Sequence, residues 1–205
     1  MTDSVTDGLA PADFLRARDA IRSVILRPEL RVHEITAPER LAPYALALAA
    51  DVIPPERGRR DAPHAADSEH GAGRFVLLYD PAAPEAWGGV FRVICFAQAP
   101  LEPELGVDPF MAGVAWSWLM DALESRDAQF GAASGTATKV ISTGFGELAR
   151  AGDGTQLELR ASWSPSNAEI GAHVEGWGDL LCLLAGLPPT EEGVTMIGRR
   201  RGPRA

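Results

Sequence analysis

RFVLLYD at residues 74–80 and VFRVICFAQA at residues 90–99 are the two strongest strand candidates in the chain. PAAPEAWGG between them reads as a wide turn, because proline and a glycine pair punctuate it. Strands joined by so short a connection lie antiparallel, since a parallel crossover needs a dozen residues or more. Within the second strand Phe91, Val93, Cys95 and Ala97 point one way and Ile94 and Phe96 the other, which predicts a central strand covered on both faces. TQLELRASW at 155–163 alternates instead. Leu157, Leu159, Ala161 and Trp163 form its apolar side, and Gln156, Glu158, Arg160 and Ser162 its wet side. QFGAASGTATKVISTGF, at 129–145, is a further strand.

Helical periodicity surrounds this strand set. Phe14, Ala17, Ile21 and Ile25 recur on one face of APADFLRARDAIRSVIL, with Pro11 suited to a first turn and Pro28 as a stop. ELRVHEIT, at 29–36, reads as a strand, and Pro38 then predicts a second helix with Leu41, Ala45, Leu48 and Val52 on one stripe. Asp108 and Pro109 supply a cap and first turn for the helix FMAGVAWSWLMDALESR. Pro165, Ser166 and Asn167 introduce AEIGAHVEGWGDLLCLLAG, which Gly186, Pro188 and Pro189 close. The expected fold is therefore α+β, with an antiparallel sheet of about five strands and helices mainly on one face. It forms one domain over residues 1–205, with a mobile connection at 53–73 and disordered ends at 1–10 and 190–205.

The chain has 205 residues, 46% hydrophobic, and carries 28 acidic against 19 basic side chains for a net charge of -9. That length buries one sizeable core. An acidic excess argues against binding nucleic acid or anionic lipid through bulk charge, and no apolar run reaches the roughly twenty residues that span a bilayer. The start, MTDSVTDGLAPAD, is acidic where a signal peptide is basic and then apolar, so the expected location is cytoplasmic. Cys95 and Cys182 sit in apolar contexts and imply no disulfide scaffold. Lys139 is the one lysine among the basic residues, a bias that composition explains more simply than a demand for guanidinium contacts.

Chemical motifs are sparse. His64 and His70 share the 53–73 connection with Asp61, Asp67 and Glu69, but their spacing matches no zinc signature. His173 begins an H-x-E without the P-C-x-x-C of the zinc deaminases. Glu169, four residues earlier, is its expected helical partner. There is no G-x-S-x-G, no phosphate-cradling glycine loop and no legible carboxylate pair, so no catalytic residue, cofactor or metal ligand is assigned. The last helix carries a core stripe of Ile170, Val174, Trp177, Leu181 and Leu184 beside a strip of Gly171, Gly178, Cys182 and Ala185. Glycine inside a helix is costly, so the strip implies a close neighbour.

The helix after Pro109 is the most informative for function, because it has two apolar faces. Ala112, Trp116, Leu119 and Leu123 form the expected core stripe, while Phe110, Val114 and Trp118 stack nearly opposite. That second face is either covered by the N-terminal helices or available to a partner.

RFVLLYDP, FRVICFAQAPLEPEL, WSWLMDALESR, ASGTATKV, ELRASWSP and AHVEGWGDLLCLLAGLPP resemble the actinobacterial domain-of-unknown-function family three thousand, from about Phe14 to Pro189. The resemblance implies an actinobacterial cytoplasmic protein and no defined activity. Neighbourhood with a ribonuclease-D-like exonuclease adds a hint of RNA metabolism, to which Arg57, Arg59, Arg60 and Arg199 to Arg201 are the matching basic residues. In topology the element order is also similar to secretion-chaperone-like folds, an analogy that does not establish function.

Three functions follow as expectations. The first is a non-catalytic protein-binding or adaptor domain, homodimeric, using Phe110, Val114 and Trp118 or an exposed sheet. The second is a small-ligand binder or enzyme with a pocket lined by Trp116, His173 and Trp177. The third is an accessory factor in RNA metabolism.

Overall fold

In a computed structural model, the described residues are 10–53, 70–151 and 154–187. Helix α1 (Ala12–Ser23) leads into strands β1 (Leu30–Ile35), β2 (Tyr44–Val52), β3 (Ala72–Tyr79) and β4 (Phe91–Pro100). Helices α2 (Pro103–Val107) and α3 (Met111–Ser125) then precede β5 (Phe130–Ser142), β6 (Gly154–Pro165) and helix α4 (Ile170–Leu184). All neighbouring strands are antiparallel, in the order β1-β2-β3-β4-β6-β5. The fold is α+β with six strands where five were expected.

The added strand is β2, at the place where the sequence predicted a helix after Pro38. Leu46, Leu48, Ala50 and Val52 alternate and all are buried, whereas Leu41 of the expected helical stripe is exposed. A period of two places those four residues on one sheet face, and pairing with both β1 and β3 stabilises it against alanine's helical preference. Ile25 departs similarly. It lies beyond the end of α1 and is 92% exposed, while Phe14, Ala17 and Ile21 form the buried stripe.

Helices α1, α3 and α4 cover one side of the sheet. Gly73 and Gly135 mark that side, because a Cβ on either would stand 2.7 Å from Leu181 of α4 or from the Trp116 ring of α3. Phe75, Val93, Cys95, Leu159 and Trp163 face the same way and are buried. On β4 the opposite face is open, contrary to the two-sided covering expected: Ile94 is 38% exposed and Phe96 only half-buried. The glycines of α4 meet their close neighbours. Gly171 receives Val24 and the Ala20 carbonyl of α1, Gly178 receives Leu26 and Leu30, and Gly176 lies on the α3 backbone at Leu123. Arg126 at the end of α3 ties the helix layer by bonding Asp179 of α4 through Nε at 2.7 Å.

The connection expected over 53–73 falls mostly outside the described residues, its last two residues, Ala72 and Gly73, opening β3. The expected disordered ends also fall outside them, apart from Ala10.

Candidate functional site

His173 and Trp177, two of the three pocket candidates, are core residues, 1% and 0% exposed. Residue Trp116 is half-buried and lies over Gly135 of β5. The Trp163 indole N–H donates to His173 Nδ1 at 3.1 Å, in place of the Glu169 pair that the helical spacing suggested. With Nδ1 accepting, the neutral ring carries its proton on Nε2, which is buried with no partner among the described residues. Burial pushes the His173 pKa down to about 4, so the imidazole is neutral at pH 7. Its ring also stands edge-on to Phe130 at the start of β5, with centroids 6.5 Å apart. The same physics silences both thiols: burial pushes Cys95 up to about 12 and Cys182 up to about 11. No three His, Cys, Asp or Glu side chains gather as metal ligands among the described residues.

The second face of α3 has a different fate. Phe110 is 76% and Val114 37% exposed, while Trp118 is half-buried against the core. Helix α1 packs on α4, and among the described residues no N-terminal helix covers this face, the first of the two alternatives. Met111, Ala115, Leu119, Ala122 and Leu123 form the buried stripe, rotated from the predicted one because α3 sits between α4 and the β5–β6 end of the sheet.

Phe110 and Val114 are not isolated. Among the described residues, Leu105, Val107, Phe110, Val114, Val140, Ile141 and Phe145 make up most of the exposed large hydrophobic side chains. Leu105, Val107, Phe110 and Val114 come from α2 and the start of α3; Ile141 of β5 faces the same side, Val140 faces the other, and Phe145 follows the end of β5. Lys139 binds these elements together by donating from Nζ to the Asp108 carbonyl at 2.6 Å. Gly106 of α2 rests on the side chain of Thr155, the residue paired with Ile141, where a Cβ would stand 2.2 Å from Thr155 Cγ2. Sequence reasoning passed over Val107 because α2 is a five-residue helix without a period to read, and over Ile141 and Phe145 because their exposure depends on the place of β5 in the strand order.

Strand β5 is the second part of the surface. It has 13 residues and, among the described residues, pairs only with β6, which leaves one row of its backbone N–H and C=O groups without a strand partner there. No carboxylate occurs from Ala128 to Gly146, and the single lysine there turns to Asp108. A register shift between Gly131 and Ser134 breaks only its beginning.

Residues 10–195 match the sequence family described as protein of unknown function (DUF3000). No curated protein and no solved structure matches the chain. No helix among the described residues is long and apolar enough to cross a membrane.

Proposed function

The chain belongs to the DUF3000 family of proteins of unknown function, and from that premise we propose that it is a non-catalytic protein-binding domain, cytoplasmic and homodimeric, that pairs with its own copy along β5. The observation that carries this is the coincidence of an unpaired strand edge with an apolar flank. An extended edge supplies backbone hydrogen bonds, and the exposed Val107, Phe110 and Ile141 supply burial beside it. A copy is the fitting occupant because a chain of net charge -9 repels itself over most of its surface. The 128–146 stretch holds no carboxylate, so two copies approach there without that penalty. Antiparallel pairing about a two-fold axis makes the same strand both donor and acceptor surface, and the two sheets become one.

Light scattering across a concentration series tests the reading. It predicts a particle of twice the 21.8 kDa chain mass that dissociates on dilution. Phe110→Ser weakens the dimer about tenfold without changing the fold, by removing an interface anchor. A monomer at every concentration up to the solubility limit contradicts it.

A further inference from the structure

The sheet face turned away from the helices is a second surface, and its composition is unlike that of the whole chain. Ile35, Ala47, Val76 and Ile94 align across β1 to β4 on this face. One step along the strands, Ala49, Arg74, Phe96 and Arg160 align across β2, β3, β4 and β6. Arg74 and Arg160 are exposed, Ile94 is 38% exposed, Ile35, Val76 and Phe96 are half-buried, and Ala47 and Leu78 of the same face are buried, so the accessible part runs over β3, β4 and β6. The Arg160 guanidinium lies 5.5 Å from the Phe96 ring centroid and also bonds Glu158 at 3.3 Å. Arg74 has no acceptor among the described residues. Arg92 is held by neutral groups alone, Ser162 Oγ at 2.5 Å, Ser164 Oγ at 3.0 Å and the Ala132 carbonyl at 3.1 Å. Outward positions of the sheet thus carry Arg31, Arg74, Arg92 and Arg160 against Asp51 and Glu158, in a chain whose overall balance is acidic.

We propose that the accessible part of this face, over β3, β4 and β6, docks an acidic amphipathic helix of a partner protein, aliphatic side chains on Val76 and Ile94 and carboxylates toward Arg74 and Arg160. A sheet face, unlike an edge, has no free backbone groups to offer, so its occupant must satisfy its own backbone, as a helix does. Arg74 and Arg160 stand on strands two apart, roughly 10 Å. Carboxylates seven residues apart on a helix are separated by roughly 10.5 Å, which matches that span. The apolar row offers a stripe to bury, and the arginine surplus selects acidic over basic helices. Single-stranded nucleic acid fits less well: it uses several aromatic platforms, and here Phe96 stands alone, partly occupied by Arg160. The face does not involve the β5 edge, and the proposal stands whether or not the chain dimerises.

The test uses the full chain and a fluorescein-labelled, lactam-bridged helical peptide of Ala, Leu and Glu, its glutamates spaced at i and i+7 beside a leucine stripe. A twin with lysine for glutamate and a short oligouridylate are run in parallel. The expected result is saturable, salt-sensitive binding of the glutamate peptide alone, with amide shifts at Val76, Ile94 and Phe96. Arg74→Glu combined with Arg160→Glu weakens binding about tenfold or more, and Ile94→Ser about fivefold, with melting temperature and particle mass unchanged. No saturable binding, equal binding of the lysine twin, or shifts confined to α3 and β5 overturn the proposal. Preferred binding of oligouridylate at the same residues overturns it as well, by assigning the face to nucleic acid.

Discussion

The two edges of the sheet are built on opposite rules. Strand β1 is six residues long, carries Arg31, His33 and Glu34, and is clamped to α1 by Arg22, whose guanidinium lies 3.1 Å from the Glu34 carboxylate. Strand β5 is 13 residues long, has no carboxylate, and turns its one lysine toward α3. Shortness and charge are the usual means by which a soluble protein keeps an edge from pairing with another chain. One edge has both protections and the other neither. This contrast is the ground for proposing β5 as the interface.

The largest effect is expected from giving β5 the protection that β1 has. Thr136→Glu with Thr138→Glu, both at exposed outward positions, sets like charges on the paired strands and weakens the dimer about a thousandfold, or about 4 kcal/mol. Sedimentation equilibrium reads this directly, and the variant's circular dichroism should match the parent's. Ile35→Glu on β1 should leave the mass unchanged. A dimer indifferent to charge on β5 would rule that edge out as the interface.

The glycines of β5 differ in what they touch. A Cβ at Gly135 would stand 2.6 Å from the Arg160 carbonyl and 2.7 Å from the Trp116 ring, whereas one at Gly131 meets nothing within 4 Å. Gly135→Ala should therefore destabilise the fold by about 3 kcal/mol in urea unfolding, since backbone and ring must both shift. Gly131→Ala should be nearly neutral. Equal effects would mean that α3 does not hold β5 as described.

Acidification acts on the same strand from beneath, through His173 under Phe130. The folded pKa, about 4, lies below the ordinary 6.5, so the unfolded chain binds the proton more readily between these values. Stability from neutral His173 is complete above pH 6.5 and is lost as pH falls toward 4. The loss from pH 7 to pH 5 is about 2 kcal/mol. Thermal melts of the parent and His173→Phe at both pH values measure it, and the difference between the two proteins should shrink or reverse at pH 5. The smallest effect belongs to the protected edge: Glu34→Ala removes a surface ion pair and should cost under about 0.5 kcal/mol with no change in mass.

Legibility in the sequence followed how strongly local pattern and tertiary context agreed. The β3–β4 pair, the one-sided alternation of β6 and the buried stripe of α4 could be read because hydrophobic period and turn residues coincide there. β2 could not. Leu41, Ala45, Leu48 and Val52 satisfy a helical period while Leu46, Leu48, Ala50 and Val52 satisfy a strand period, and alanine favours neither packing face. Only pairing on both sides decides it. Ile94 and Phe96 looked like residues under a second layer because residue type alone does not say whether an apolar face is covered. Phe110 and Val114 were identifiable from the second apolar stripe of α3. Their companions Val107, Ile141 and Phe145, and the edge position of β5, depend on strand order, which no local period contains.

The claim that β5 is an interface, and β1 is not, is tested most directly by backbone amide exchange along both strands above and below the concentration at which the particle dissociates. The outward amides of β5 should exchange slowly in the concentrated sample and fast in the dilute one, with β1 unchanged. Identical β5 exchange in the two samples, or protection gained on β1 instead, would contradict it.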